Sequence, residues 1–245
     1  MAYTTINKST DHFNTKLYTG DGNNSKAITG VGFQPDWIWI KKRSGTASHM
    51  ISDSVRGVTK TIYTESTSAE LTSDQYGWVS AFGTDGFTTS NTNVGAINEN
   101  GGTYVSWNWK GGGSGSTNND GAVTSTVSAN TTSGFSIVSY TGTGSTTTVG
   151  HGLGAKPSVV IYKQRNTTNA WRMMTDVSGT LKRLYLNATD AEASIIDSST
   201  APTSTVLNIG TGSEVNTSSG TYIAYCFAEK TGYSKFGTYA GNNNT

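Results

Sequence analysis

Pro35-Asp36-Trp37-Ile38-Trp39-Ile40-Lys41-Lys42-Arg43 returns 122 positions later as Pro157-Ser158-Val159-Val160-Ile161-Tyr162-Lys163-Gln164-Arg165. The proline, the apolar run, one lysine and the arginine keep their places while the residues between them change. Each run is continuously apolar over four residues and rich in β-branched and aromatic side chains. Each therefore reads as a central strand buried on both faces. Working outward, the same spacing joins Tyr18 to Tyr140, Gly20 to Gly142, Lys60 to Lys182, Tyr63 to Tyr185 and Glu70 to Glu192. Gly102-Thr103-Tyr104-Val105-Ser106-Trp107 then answers Gly220-Thr221-Tyr222-Ile223-Ala224-Tyr225 at a spacing of 118, so four residues are lost between Glu192 and Gly220 in the second copy. Repetition on this scale describes two copies of one domain rather than a single enzyme core.

The fold class expected is all-β: two tandem antiparallel β-sandwich (jelly-roll-like) domains from an internal duplication. Phe13 to Tyr18 opens the first unit and Phe135-Ser136-Ile137-Val138-Ser139-Tyr140 the second. Gly77 to Phe82 and Gly86 to Thr89 flank an Asp85-Gly86 turn, a hairpin signal. Helix signals are scarce, and Thr189-Asp190-Ala191-Glu192-Ala193 is the best of them. The expected boundaries are an N-terminal docking segment at 1–12, a first sandwich at 13–110, a flexible Gly/Ser linker at 111–119 and a second sandwich at 120–230. Linker composition implies that the two units reorient freely. Within 120–132, Val123 and Val127 suggest an edge strand of the second unit. Phe236-Gly237-Thr238-Tyr239-Ala240-Gly241-Asn242 echoes Ile137 to Gly142, so 231–245 reads as the start of a third repeat, truncated in preference to docking as an extra strand.

Charged residues make up 13% of the chain and the net charge is +1, which gives no basic stripe for nucleic acid. Lys41-Lys42-Arg43 ends an apolar strand and reads as a solvated terminus. Thirty glycines beside abundant Ser, Thr and Asn suggest disorder, but 10% aromatic content belongs to a folded chain. Cys226 has no partner for a disulfide and reads as a buried free thiol. No apolar run approaches the ~20 residues of a membrane helix, and no leader marks the N-terminus, so no membrane partner and no secretion are expected.

Catalytic constellations do not emerge. His12, His49 and His151 have no duplicated counterparts and no metal-ligand spacing, so no metal and no cofactor is expected. His151 lies in Gly150-His151-Gly152-Leu153-Gly154, a turn rather than a phosphate loop. No Gly-x-Ser-x-Gly elbow occurs. Glu70 and Glu192 repeat in register, which suits a structural role near a helix start better than the paired carboxylates of a glycoside hydrolase. The aromatic residues are more promising. Trp37, Trp39, Trp107 and Trp109 alternate within two strands and Trp78 begins another. Part of this set belongs in a core, and any ring left on the surface is suited to stack on a sugar or anchor a protein interface.

Three runs resemble repeat proteins encoded by marine tailed bacteriophages, cyanophages above all. They are Ile28-Thr29-Gly30-Val31-Gly32-Phe33-Gln34-Pro35-Asp36-Trp37, Gly134 to Gly142 with Val149 to Gly154, and Ala224-Tyr225-Cys226-Phe227-Ala228-Glu229-Lys230-Thr231-Gly232-Tyr233-Ser234-Lys235-Phe236-Gly237. The likeness implies a tail-fibre-like virion structural protein and brings no catalytic residues. It implies location in the virion, other virion proteins as partners, and a homo-oligomer, with a trimer favoured because fibres bury strand edges that way. The expected function is a non-enzymatic fibre or appendage component in host attachment. The alternatives are a capsid-attached decoration or cement fibre, or a module reading host surface glycan. A depolymerase is the remaining reading.

Overall fold

The computed structural model describes residues 4–90 and 95–242. Residues 1–3 of the expected docking segment and 243–245 of the expected third repeat lie outside the described residues. The first half runs through β1 (Phe13–Thr19), β2 (Lys26–Thr29), β3 (Trp37–Lys42), β4 (Met50–Asp53), β5 (Lys60–Tyr63), β6 (Leu71–Thr72), β7 (Trp78–Gly83), β8 (Gly86–Ser90) and β9 (Thr103–Trp109). The second half runs through β10 (Ser116–Asn118), β11 (Ser125–Asn130), β12 (Phe135–Thr141), β13 (Thr147–Gly150), β14 (Val159–Gln164), β15 (Arg172–Thr175), β16 (Lys182–Tyr185), β17 (Ala193–Ser194), β18 (Val206–Ile209), the single-turn helix α1 (Ser213–Asn216) and β19 (Thr221–Phe227). The chain is all-β, and every paired strand is antiparallel to its neighbour among the described residues.

Two large sheets dominate. The first has the order β1-β9-β3-β4-β5-β6 and the second the order β10-β11-β12-β19-β14-β15-β16-β17. Compared at the spacing of the repeat, β1, β9, β3, β4, β5 and β6 stand where β12, β19, β14, β15, β16 and β17 stand. The pair β2/β8 answers β13/β18, while β7 has no counterpart. The fastenings recur too. Tyr18 stacks on Tyr104 at 5.0 Å, and Tyr140 stacks on Tyr222 at 5.2 Å. The Tyr18 hydroxyl donates to the Ile97 carbonyl (2.9 Å) and that of Tyr140 to Val215 (2.7 Å). Asn98 and Asn216 each accept from a loop amide, those of Asp21 and Thr143.

The centre of each large sheet is covered on both faces, which is why β3 and β14 each begin with four apolar residues. One face packs on a small sheet of its own half: β2-β8-β7 over Ile38, Ile40 and Tyr104, and β13-β18 over Val160, Tyr222 and Cys226. The other faces meet each other. Trp37, Ile51 and Ile62 share one core with Phe135, Ile137, Ile161, Trp171, Ile223 and Tyr225. The β7–β8 hairpin turns at Asp85-Gly86 as expected, and Gly86 (φ +143°) lies too close to the Ile28 backbone to carry a Cβ.

Several expectations need correction. Residues 111–119 are not a free linker. The Gly111 amide donates to Asp36 Oδ2 and that of Gly112 to Ser128 Oγ (both 2.8 Å), Ser54 Oγ donates to the Gly113 carbonyl, and β10 pairs with β11. Glycine-rich composition reports the entropy of a chain without neighbours, and here neighbours capture its amides. The shared core likewise excludes free reorientation of the halves. Within the second sheet β11 is an inner strand and β10 the edge. Thr189 to Glu192 forms no helix and leads directly into β17, whose Ala193 pairs with Arg183. The echo at Phe236 to Asn242 forms no strand; the Phe236 ring leans on Phe227 at 6.4 Å and its amide donates to Glu229.

Candidate functional site

The most elaborate chemistry lies where the two large sheets meet. Asp53 ends β4 and Arg56 follows in the next turn; both side chains are fully buried. Asp53 accepts from the Arg56 amide (2.8 Å), its guanidinium and the Tyr225 hydroxyl (2.7 Å). Arg56 also donates to the Ile51 carbonyl (3.1 Å) and to Glu70 (3.3 Å). Glu70 in turn receives Arg165 through two bonds of 2.9 and 3.0 Å, the geometry of a forked guanidinium–carboxylate pair. Backbone bonds fasten the same seam: the Glu70 amide to Arg165 O and the Asn169 amide to Thr67 O, both 2.8 Å. Trp171 Nε1 donates to the Tyr63 carbonyl at 2.8 Å.

This setting shifts titrations in opposite senses. Burial works to raise the Glu70 carboxyl, but the Arg165 hydrogen bond and the charges of Arg56 and Arg165 outweigh it and hold the group below its ordinary value. Lys163 has no carboxylate partner among the described residues; its ammonium donates to the carbonyls of Gln164 (2.7 Å) and Thr67 (3.3 Å). Burial pulls it down to about 8. Burial also drives the Tyr225 hydroxyl well above its usual range.

Beside this seam the first sheet leaves an open groove of about 310 Å³, lined by Phe13, Trp39, His49, Trp107 and Trp109. The register places these residues together: Trp39 lies opposite Trp107, and Phe13 opposite Trp109. Trp39 meets Trp107 edge-on at 6.2 Å and His49 at 6.3 Å. The Trp39 indole nitrogen is buried without a hydrogen-bond partner. Lys41 and the exposed Arg43 continue along the same strand and its loop.

Of the five candidate aromatics, the structure brings four together. Trp37 is wholly in the shared core, 4.3 Å from Trp109 and stacked on Tyr225 at 4.7 Å. Trp109 is half-buried at the rim, while Trp39 and Trp107 face the groove. Trp78 stands apart on β7 in the outer small sheet. Glu70, expected beside a helix start, instead sits in the seam. Sequence reasoning did not find Phe13 and His49 as groove residues, nor the Asp53–Arg56–Glu70–Arg165 chain. The in-register repetition of Arg43/Arg165 and Glu70/Glu192 was the available signal. The histidines lie far apart in role: His12 meets Asn130 (3.0 Å), and His151 is buried against the Thr203 carbonyl (3.3 Å). Among the described residues no three His, Cys, Asp or Glu side chains converge as a metal site requires. Cys226 is buried and free.

A family model described as a domain of unknown function (DUF7483) matches residues 8–245. No curated protein and no solved structure matches the chain.

Proposed function

We propose that this chain, which belongs to the DUF7483 family, is a non-enzymatic structural component of a bacteriophage virion, a fibre or appendage segment serving host attachment. In this reading its two halves are tandem jelly-roll-like sandwiches that arose by internal duplication. The observation that carries the proposal is the seam: two like-ordered sheets locked face to face through one apolar core and a buried ion-pair chain. Such a contact transmits load between modules and holds their relative placement, which is what an appendage built from repeats requires. The resemblance to virion repeat proteins supplies the setting.

The acids support the same reading. Glycoside hydrolysis takes two carboxylates facing each other across a cleft. Glu70 is clamped by two arginines in the seam, and the cleft lined by Lys42, Tyr63, Tyr76 and Glu99 has one carboxylate in its lining, which Lys42 neutralises.

Antibody fragments raised against residues 1–110 and applied to intact particles test the proposal. Decoration at the tail, with infection blocked, is the expected result. Decoration spread over the head would move the protein to a capsid-attached fibre or cement. Particles that stay unlabelled while the epitope is demonstrably accessible would overturn the virion assignment.

A further inference from the structure

The seam uses two different surfaces, and each half carries both. The first half contributes Trp37, Ile51, Asp53, Ile62 and the loop 63–70; the second contributes Ile161, Lys163, Arg165, Trp171 and Tyr225. At the repeat spacing, the second surface exists in the first half as Trp39, Lys41, Arg43, His49 and Trp107. The first surface exists in the second half as Val159, Met173, Thr175, Leu184 and the loop 185–192.

Exposure divides them consistently. Trp171 and Tyr225 are fully buried, while His49 and Trp107 are half-open; Ile62 is buried and Leu184 half-open. Glu70 pairs with Arg165, while Glu192 and Arg43 are both exposed and take part in no salt bridge among the described residues. The molecule therefore ends in two complementary surfaces that the seam covers only in part: Trp39, Val159, Met173 and Leu186 lean on the shared core, while Glu192 on one surface and Arg43 and Trp107 on the other stay open to solvent. Because the two surfaces differ, the contact between copies is head to tail rather than self-complementary.

We infer that a second copy of this chain docks on the groove, its 185–192 loop seated where the 63–70 loop sits inside one chain. This rests on reading the two halves as copies of one unit. In that contact Glu192 receives the Arg43 guanidinium, as Glu70 receives Arg165. The Lys41 ammonium, which within one chain donates to the Ala47 carbonyl, turns to the Thr189 carbonyl of the second copy, the counterpart of Lys163 on Thr67. The His49 ring N–H takes the place of the Trp171 indole as donor, toward the Tyr185 carbonyl, and Trp107 packs where Tyr225 packs. Two differences make the contact between copies weaker than the seam within one. Thr175 and Ser178 replace the buried Asp53–Arg56 pair, and Val159 replaces Trp37. Association is therefore reversible, and it ends either in an open series or in a closed ring.

The test uses the full chain. Sedimentation velocity over a concentration series is expected to show self-association, and R43E or E192R alone weakens it about tenfold or more, as loss of a forked ion pair does. The double variant R43E/E192R restores it, because the reversed charges meet again between copies. Under oxidising conditions R43C/E192C gives a ladder or a ring of covalent multimers, whereas each single variant stops at dimers. Arg43 and Glu192 are exposed, so these variants keep the fold. A chain that stays monomeric at every concentration and gives no ladder overturns the inference, as does a double charge reversal that fails to restore association. Saturable binding of a host oligosaccharide, lost in W107A and unaccompanied by self-association, would assign the groove to glycan instead. Labelled particles carrying only monomeric protein would sink this contact and spare the virion proposal; unlabelled particles with a covalent ladder would do the reverse.

Discussion

His49 and Trp171 hold the same place in the repeat, each just ahead of the strand that follows β3 or β14. Trp171 is sealed in the seam with its indole N–H on a carbonyl, while His49 lines an open groove. The same divergence recurs along both sheets. Thr15 is exposed where Ile137 is buried, and Lys41 is half-open where Lys163 is buried. The matched sheet faces of the two halves thus differ, one suited to water and one to contact. Where the face sheds water it carries Ile, Trp and Tyr, and Trp171, Tyr225 and Lys163 are all bonded there, while the Trp37 indole nitrogen is buried without a partner. Where it stays open it carries Thr, His and Lys. Burial of apolar area at ~25 cal/mol per Å² rewards the first set only if the partner surface is present. Side-chain identity at matched positions therefore reports which face is covered.

The sharpest way to break this comparison is to truncate matched positions of the other surface. Trp37→Ala removes one of the two fully buried indole rings of the shared core and is expected to cost about 3–5 kcal/mol. Val159→Ala, half-buried at the matched position, should cost about 1 kcal/mol. Urea denaturation of both variants measures the difference. Equal losses would mean that the seam contributes no more than an ordinary surface.

Glu70 and Glu192 come next. Glu70→Gln leaves Arg165 without its carboxylate and Arg56 with Asp53 alone in a largely buried site, an expected loss of about 3 kcal/mol, whereas Glu192→Gln should stay within about 0.5 kcal/mol in the monomer. The pH dependence carries the same signature. The folded-state Glu70 value lies below its unfolded value near 4.5, so its contribution is complete above pH 4.5 and is lost as pH falls through the folded value. Wild type should therefore shed more stability between neutral pH and pH 3 than Glu70→Gln does. Parallel acid limbs for the two proteins would show that the carboxylate is not held by its arginines.

Much of the fold was legible because its signals are local. The apolar runs at Trp37 and Val159 marked central strands, and Asp85-Gly86 marked its hairpin. The seam was not legible, because a strand buried on both faces does not say what covers the second face. Glycines 111–113 looked like a linker since nothing local reveals that Asp36 and Ser128 wait for their amides. The helix expected at Thr189 failed for a related reason: the segment must reach Arg183 to end the sheet, and that pairing overrides a weak local preference. The clue to the seam was a nonlocal one. Arg43/Arg165 and Glu70/Glu192 recur in register, yet the contact runs from Glu70 of the first half to Arg165 of the second, a crossing that only the packed sheets display.

A smaller effect belongs to Lys163, again a stability that rises with pH but in a higher window, here because burial penalises the charge rather than because a partner stabilises it. Its folded-state value is near 8 against an ordinary 10.5, because burial opposes the ammonium. The unfolded chain therefore binds more protons between those limits, and stability should rise as pH climbs from about 8 to 10.5. Lys163→Met removes the titration and with it that rise. Circular dichroism melts at pH 7.5, 9 and 10 compare the two slopes, and indistinguishable slopes would mean that water reaches the ammonium in the seam.

Cys226 gives the smallest effect and the cleanest control, because here the two halves agree. It occupies the place of Asn108, and both side chains face their own half's core on the side away from the seam. Burial pushes the thiol up to about 12, so little thiolate exists at neutral pH and iodoacetamide has no path to it. The native protein should resist alkylation and react promptly once unfolded. The informative sample is Glu70→Gln below its unfolding midpoint. The small sheet β13-β18 covers Cys226 independently of the seam, so loosening the seam should leave alkylation as slow as in wild type. Faster alkylation in that variant would mean that the seam and the second-half core open together, and the two faces of the sheet would then have to be treated as one cooperative unit.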